Sequence, residues 1–426
     1  MDHLPESIQE ALAFEKSNQA LGSVIQDQFY DAPGQDDAKA APGTLFKVEK
    51  DVDTSKFLLP ATTALSRFVY QSETMSGVKT PVSAYVLWPY SPRSQSDGYS
   101  VVAWAHGTSG FGPNAAPSNH KNLWQHFQAP YQLALQGYLV VATDYAGLGV
   151  SKQASGESIG IEWCTGPSQA NDVIYSVQAV QAAFPELSKQ FVVIGQSQGG
   201  GAAWAVAQKA AAAPIPGYLG AVAVSPYTSL LKETNSDIVE LAIAIQSPAM
   251  AAALPAYDPK GLLNDEGLNV YKTVYDMDGA IFSGLALLSG KGTLKSDCKE
   301  NPHYRKFQEM TINGGKAIAG PLLVIHGKDD PALPISATDS AVEETAKRFP
   351  SSQIEYVSLP GVTHVSALSA SQHIYMDWIQ DRFAGREVPP GCSRHELAAA
   401  RPEKSRQGEQ NWYLSLATQP YHAPGP

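Results

Sequence analysis

Residues 191–207 read FVVIGQSQGGGAAWAVA, and this stretch decides the fold. An apolar run typical of a buried strand leads into the motif Gly-x-Ser-x-Gly, and small residues suited to a closely packed helix follow it. A serine between such a strand and helix lies on a sharp turn that raises its hydroxyl above the sheet. Glycines flank the serine because a Cβ atom there would clash with neighbouring backbone. The pattern therefore predicts that Ser197 is a nucleophile.

The chain contains a second Gly-x-Ser-x-Gly match, GESIG, at residues 156–160. No strand-like run precedes it and no helical pattern follows it. Because the motif has meaning only in its strand-turn-helix setting, we interpret Ser158 as a residue of a surface loop.

The composition is that of an ordinary globular protein, with 43% hydrophobic and 17% charged residues among 426. The net charge of -11 and the lack of any basic block argue against nucleic-acid binding. The three cysteines, Cys164, Cys298 and Cys392, allow at most one disulfide, and their spacing fits no usual zinc site.

Two features bear on location. The apolar stretch at 238–254 is interrupted by Glu240, Gln246 and Pro248 and is too short to span a bilayer, so we expect no transmembrane segment. The N-terminal residues lack the pattern of a secretory signal, which favours a cytoplasmic protein. Secretion with the leader omitted is the alternative.

Apolar runs alternate with helical patterns along most of the chain. Predicted strands lie at 82–88, 101–105, 139–143, 191–194, 219–224, 322–325 and 354–357, and predicted helices at 122–136, 169–184, 198–212, 336–348 and 366–383. Such alternation predicts an α/β fold with a mostly parallel central sheet flanked by helices. Functional residues are then expected beyond the carboxyl ends of the strands.

The alternation stops between residues 226 and 319, where the sequence is helical and contains proline breakers. We interpret this stretch as a helical lid or cap inserted between the two parts of the core, 67–225 and 320–392. Residues 1–66 are predicted to form an N-terminal extension with one helix at 6–21, and residues 393–426 a C-terminal tail.

A serine nucleophile needs a histidine base that is oriented by a carboxylate. After Ser197, the chain supplies an acid and then a histidine at predicted strand ends, the order found in α/β-hydrolases. Residues 326–334, HGKDDPALP, place two acids in the turn, and we favour Asp330 over Asp329 by its position before Pro334. The base is predicted to be His364, which follows the last strand, whereas His373 lies inside the next predicted helix.

An acyl-transfer site also needs backbone donors for the oxyanion. The His-Gly-Thr turn after the strand at 101–105 offers the amide of Thr108, and the residue after the nucleophile offers that of Gln198. Asp144 follows another strand, but it precedes Ser197 in the chain, so we interpret it as structural.

Several segments together resemble a known family. They are FY at 29–30, APGT at 41–44, WAHGT at 104–108, DYAGLG at 144–149, GQSQGG at 195–200 and WIQDRFAG at 378–385. In this order and spacing, over residues 28–392, the chain resembles the secretory lipase family, the lipase A-like α/β-hydrolases of fungi and actinobacteria. The resemblance implies hydrolysis of esters with apolar acyl groups, a large helical lid, and no metal or organic cofactor.

Three functions fit these observations. The leading hypothesis is a serine hydrolase of the carboxylesterase or lipase type, with Ser197, Asp330 and His364 as the triad and a small-molecule ester as substrate. The same triad would also serve an acyltransferase or tailoring enzyme that delivers the acyl group to an acceptor other than water. A non-catalytic binding protein is a remote alternative, since such relatives typically lose a triad member.

Overall fold

The fold is built on one central β-sheet with helices packed against it. The computed structural model describes residues 4–124, 129–229, 237–254, 256–288 and 292–407. Its strands are β1 (Leu45–Glu49), β2 (Ala64–Glu73), β3 (Lys79–Trp88), β4 (Ser94–Gln95), β5 (Gly98–Ala105), β6 (Leu139–Thr143), β7 (Leu187–Gln196), β8 (Tyr218–Val224), β9 (Leu322–Gly327), β10 (Gln353–Leu359) and β11 (Gly391–Glu396). Its helices are α1 (Glu6–Ser17), α2 (Pro130–Leu135), α3 (Gly166–Ala183), α4 (Gln198–Ala212), α5 (Asp237–Ala253), α6 (Asp265–Asp276), α7 (Ile281–Leu288), α8 (Pro302–Thr311), α9 (Ile335–Arg348), α10 (Ser366–Ala370) and α11 (Gln372–Phe383).

The strands of the described residues form one sheet in the order β1-β2-β3-β6-β5-β7-β8-β9-β10-β11, with β4 beside β5. The first three pairings of this order are antiparallel, and from β6 onward every neighbouring pair is parallel. This is the mostly parallel sheet predicted from the alternation of strands and helices, and it is the α/β-hydrolase fold that the family resemblance implied. All seven predicted strands are present within a few residues of their expected bounds.

Both faces of the sheet are buried, which is why its central strands read as continuous apolar runs. In β5, Val101 and Ala103 belong to the core beneath α3 and α4, whereas Val102 and Trp104 face the core that contains α11. Helices thus cover the sheet on two sides, and its carboxyl edge is left for the loops that carry the candidate site.

Four strands were not predicted, among them the two-residue β4 beside β5. β1 and the start of β2 lie within residues 1–66, the stretch interpreted as an N-terminal extension, and β11 runs across the predicted boundary at residue 392. In β2 the apolar pattern is interrupted by the buried Arg67. Its guanidinium is paired with Asp27 at 2.9 Å and Glu49 at 2.6 Å, so a charge is tolerated inside a strand.

Three helix predictions need correction. The helix predicted at 122–136 begins only at Pro130, which occupies the first turn of α2. Residues 125–128 lie outside the described part, and Leu123 and Trp124 just before them have positive φ angles of 50° and 46°, which no helix contains. The helix predicted at 6–21 ends at Ser17, and that predicted at 366–383 is broken at Ser371 into α10 and α11.

The helices α5, α6, α7 and α8 lie between β8 and β9, within the predicted insertion. No helix of the described residues is long and apolar enough to cross a membrane. The cysteines are free thiols, with Cys164 and Cys298 buried and Cys392 partly exposed.

Candidate active site

Ser197 lies on the turn between β7 and α4. Its backbone angles are φ 60° and ψ -120°, a conformation that L-residues rarely adopt and that needs support from the surrounding structure. That support comes from the backbone, because the Ser197 amide donates to Val224 on β8 at 3.0 Å. A Cβ atom on Gly199 would overlap the carbonyl group of Ala105 on β5, so only glycine fits there. The second motif differs, since Ser158 is exposed in a loop with no helix after it.

The predicted acid and base are in direct contact. Nδ1 of His364 lies 2.6 Å from Oδ2 of Asp330. The Asp330 side chain is fully buried and that of His364 is 14% exposed, whereas the neighbouring Asp329 is exposed. The structure therefore brings Asp330, and not Asp329, to the histidine.

The Asp330 carboxylate has further donors. Its Oδ1 accepts from the amides of Ala332 and Leu333 at 2.8 and 2.9 Å, and its Oδ2 lies 3.1 Å from Nε2 of His326. Burial by itself raises the pKa of Asp330, but the hydrogen bonds from His326 and His364 outweigh it and hold the pKa well below its usual range. The carboxylate is therefore ionised at neutral pH.

The loop that carries His364 is fixed to the ends of two central strands. The carbonyl oxygen of His364 accepts from the hydroxyl of Ser225 after β8 at 3.2 Å and from the side-chain amide of Gln196 on β7 at 3.4 Å. Gln196 precedes Ser197 in the chain. His364 is thus anchored to the same strand end that presents Ser197.

Ser197 and His364 line one cavity of about 330 Å³. Most of its other lining residues are apolar or aromatic, and they include Phe111, Trp163, Tyr227, Ala242, Ile245, Ile281, Leu285, Leu333 and Val365. Among the lining residues in the described part of the chain, none except His364 carries a titratable nitrogen or a carboxylate. Such a wall suits an uncharged, apolar group beside the serine.

Thr108 and Gln198, the predicted oxyanion residues, also line this cavity and touch each other. The Thr108 hydroxyl donates to the side-chain oxygen of Gln198 at 2.9 Å and accepts from the indole nitrogen of Trp163 at the same distance. A short chain of hydrogen bonds therefore joins the loop after β5 to the start of α4.

Asp144 belongs to a buried network outside the cavity lining. It accepts from the hydroxyls of Ser83 and Ser118 at 2.6 and 2.5 Å and from the Ser118 amide at 2.8 Å. Burial raises the pKa of Asp144 to about 7. His106 lies beside it with both ring nitrogens near backbone carbonyls, and burial lowers its pKa to about 4. Both side chains hold the loops around the candidate site.

Glu15 of helix α1 contacts the helix that forms one wall of the cavity. Its buried carboxylate accepts from the amides of Ala280, Phe282 and Ser283 at 2.7 to 3.1 Å and from the Ser283 hydroxyl at 2.6 Å. These amides open helix α7, whose Ile281 and Leu285 line the cavity. A carboxylate is stabilising at such a helix N-terminus. Helix α1 therefore fixes the wall that α7 forms over the cavity.

A family comparison agrees with this geometry. A sequence model described as the alpha/beta hydrolase family matches residues 102–374, which include Ser197, Asp330 and His364. The chain belongs to the alpha/beta hydrolase family. The matched range includes the helical insertion at 226–319.

Solved structures of the same fold include two described as a lipase and an esterase. Lipase A of Candida antarctica in its closed state superposes with a TM-score of 0.71 over 88% of this chain and 90% of that one, at 15% identity. The rice cell wall degrading esterase LipA from Xanthomonas oryzae gives a TM-score of 0.62 over 81% and 99%, at 18% identity. No curated protein matches the chain. The similarity to a lipase A agrees with the resemblance found in the sequence, and at these identities it concerns the fold.

Two residues around the candidate site were missed at the level of sequence. In the sequence, His326 appears only as the first residue of the segment at 326–334, and no motif includes Trp163. The spacing of four residues between His326 and Asp330 is the one sequence signal that could have indicated their contact. No sequence signal linked Trp163 to Thr108, which lies 55 residues earlier.

Proposed function

We propose that this protein is a serine carboxylic-ester hydrolase that acts through an acyl-enzyme. The observation that carries the proposal is the 2.6 Å contact between Nδ1 of His364 and Oδ2 of Asp330, at a cavity that both His364 and Ser197 line. An ionised carboxylate on Nδ1 keeps the proton on that nitrogen and leaves Nε2 free to act as a base.

In the proposed reaction, Ser197 attacks the acyl carbon of an ester while Nε2 of His364 takes the hydroxyl proton. The negative charge on the acyl oxygen is stabilised by the backbone amides of Thr108 and Gln198. His364 then gives its proton to the leaving alcohol, and the acyl group stays on Ser197. A water molecule, deprotonated by His364, releases the acid and restores the serine.

The apolar cavity wall supports an uncharged acyl group as the substrate. The helical insertion contributes Ala242, Ile245, Ile281 and Leu285 to that wall. We therefore infer that the insertion acts as a lid that sets the size of the acyl group. The lipase and the esterase that share the fold support ester chemistry of this kind.

The two Gly-x-Ser-x-Gly motifs offer a matched pair of variants. We expect Ser197→Ala to abolish hydrolysis of p-nitrophenyl esters and Ser158→Ala to leave it unchanged, with both variants folded by circular dichroism. Retained activity in Ser197→Ala would contradict the proposal. Product analysis of the wild-type enzyme with a competing alcohol separates hydrolysis, which yields the free acid, from acyl transfer, which yields a new ester.

The adjacent acids offer a second pair. Asp330→Asn removes the charge that orients His364, and we expect kcat to fall about 10³- to 10⁴-fold. Asp329→Asn changes an exposed side chain and is expected to keep kcat within about twofold. Equal losses in the two variants would contradict the assignment of the acid.

A further inference from the structure

His326 is a buried histidine that contacts the same carboxylate oxygen of Asp330 as His364 does. It is the penultimate residue of strand β9 and has no exposed surface. Its Nε2 lies 3.1 Å from Oδ2 of Asp330 and 3.0 Å from the carbonyl oxygen of Leu333. Its Nδ1 lies 2.9 Å from the hydroxyl oxygen of Thr338 on α9. Every ring nitrogen thus has a partner, and one of them shares a carboxylate oxygen with His364.

The partners determine which nitrogen carries the proton. A carboxylate and a carbonyl oxygen only accept hydrogen bonds, so Nε2 of His326 must be the donor. The Thr338 hydroxyl either donates or accepts, and it donates to Nδ1 when the ring is neutral. Thr338 therefore holds the tautomer that points an N–H group at Asp330.

The N–H group of His326 links Asp330 at one end of the turn at 330–333 to Leu333 at the other end. Oδ1 of Asp330 accepts from the amides of Ala332 and Leu333, and the Leu333 carbonyl faces His326. Leu333 and Ala332 also line the cavity beside Ser197. The turn therefore has one arrangement in which Oδ2 is aimed at His364 and both cavity residues are in place.

We propose that His326 is a positioning residue that holds the Asp330 carboxylate in the orientation in which it contacts His364. This inference rests on the proposed function, since it assigns a role within the same triad. His326 touches neither the cavity nor the serine and acts only through Asp330. By sharing Oδ2, its N–H group also draws negative charge away from the oxygen that faces His364.

The test compares a variant that loses the donor with one that keeps it. His326→Phe preserves a ring of similar size without an N–H group, and His326→Gln places an amide N–H near the position of Nε2. We expect His326→Phe to lower kcat for a p-nitrophenyl ester about 10- to 100-fold with KM within about twofold. We expect His326→Gln to recover most of that loss.

The pH profile gives a readout that a purely packing role would not move. Without the second donor, Oδ2 presents more negative charge to His364 and favours its protonated form. The acid limb of the kcat/KM profile should therefore move to higher pH in His326→Phe and stay in place in His326→Gln. Among the described residues, His326 and His364 are the titratable side chains within hydrogen-bond distance of this carboxylate, so the shift reports on their shared oxygen.

The inference is wrong if a folded His326→Phe variant has the same kcat and the same acid limb of the pH profile as His326→Gln. If His326→Phe does not fold, the test uses Thr338→Val instead, because this variant removes the partner of Nδ1 of His326. We expect that variant to lower kcat about 3- to 10-fold and to weaken the far-downfield proton resonance of the His364–Asp330 hydrogen bond. An unchanged kcat and resonance would contradict the role.

Failure of this inference is distinguishable from failure of the proposed function. If Ser197→Ala remains active, the hydrolase mechanism itself is wrong. If Ser197→Ala is inactive while the His326 and Thr338 variants behave like wild type, the triad stands and only the positioning role is lost.

Discussion

The hydroxyl of Thr108 donates a 2.9 Å hydrogen bond to the side-chain oxygen of Gln198. Thr108 lies in the loop after β5 and Gln198 at the start of α4, and their backbone amides are the two proposed donors to the oxyanion. The side-chain contact therefore fixes the distance between the two donors. Because electrostatic stabilisation depends on donors that are already in place, this contact should matter for catalysis more than for substrate binding.

Removing the Thr108 hydroxyl tests this contact. Thr108→Val keeps the backbone amide and the volume of the side chain, so we expect kcat to fall about tenfold, less than the 10²- to 10³-fold typical of losing a donor outright. KM should change little. Thr108→Ser keeps the hydroxyl and serves as the control. Steady-state kinetics that give the same kcat for the Val and Ser variants would show that the contact is dispensable.

Trp163 should affect both rate and acyl preference. Its indole donates to Thr108, and its side chain also lines a neighbouring apolar cavity, where Phe111 and Trp163 face residues of the helical insertion such as Ile245. Trp163→Ala should join the two cavities and raise the kcat/KM ratio of laurate over butyrate esters by about tenfold. Trp163→Phe keeps the wall, so it should lower kcat without changing this ratio. An unchanged ratio in Trp163→Ala would argue against a dividing wall.

Glu15 should stabilise the fold by capping α7. Glu15→Ala removes the acceptor of three backbone amides and a hydroxyl, and we expect the free energy of unfolding to fall by about 1 to 3 kcal/mol. Glu10→Ala, on the exposed face of the same helix, is the control and should change it by less than about 0.5 kcal/mol. Urea unfolding measures both. Equal effects would mean that the Glu15 contacts add no stability.

The buried Asp144 should make stability depend on pH. Burial raises its pKa to about 7, above the value of about 3.9 in an unfolded chain, so the folded state binds the extra proton between these values. Its contribution is therefore fully present below about pH 4 and is lost as the pH rises towards 7, with a slope of at most about 1.4 kcal/mol per pH unit. Asp172, whose pKa burial also raises to about 7, adds a second slope of the same sign.

Asp144→Asn should remove one of these two slopes. The buried His106 and His120, whose pKa values burial lowers to about 4, contribute slopes of the opposite sign, so the variant is compared directly with the wild type. We expect the change in unfolding free energy between pH 5 and pH 7.5 to be more favourable in the variant than in the wild type by about 2 kcal/mol, as measured by urea unfolding at both pH values. Asp51→Asn changes an exposed residue and should leave the wild-type slope intact. A slope in Asp144→Asn equal to that of the wild type would show that Asp144 does not titrate in this range.

The parts of the fold that were predicted correctly have local signatures. The apolar run at 191–194 and the glycines around Ser197 reflect constraints within a few residues, and Asp330 and His364 each follow a strand with a recognisable apolar run. β2 was missed although it pairs with the next strand along the chain, because polar side chains interrupt its apolar pattern. Arg67 looks unfavourable in a strand until Asp27 and Glu49 are brought beside it.

The supporting contacts of the candidate site were missed for the same reason. Trp163 meets Thr108 and Glu15 meets α7 across 55 and more than 260 residues of chain. Such contacts depend on tertiary packing, which no periodicity or motif encodes. The helix predicted at 122–136 was too long because its apolar pattern outweighed Pro130, which marks where α2 begins.

The most direct test of the central claim is peptide mapping by mass spectrometry after treatment of the wild-type protein with a fluorophosphonate. We predict a single adduct on Ser197, none on Ser158, and loss of ester hydrolysis in proportion to labelling. His364→Ala should slow the labelling, because the serine then lacks its base. An adduct on Ser158, or full ester hydrolysis by protein that carries the label on Ser197, would contradict the proposed mechanism.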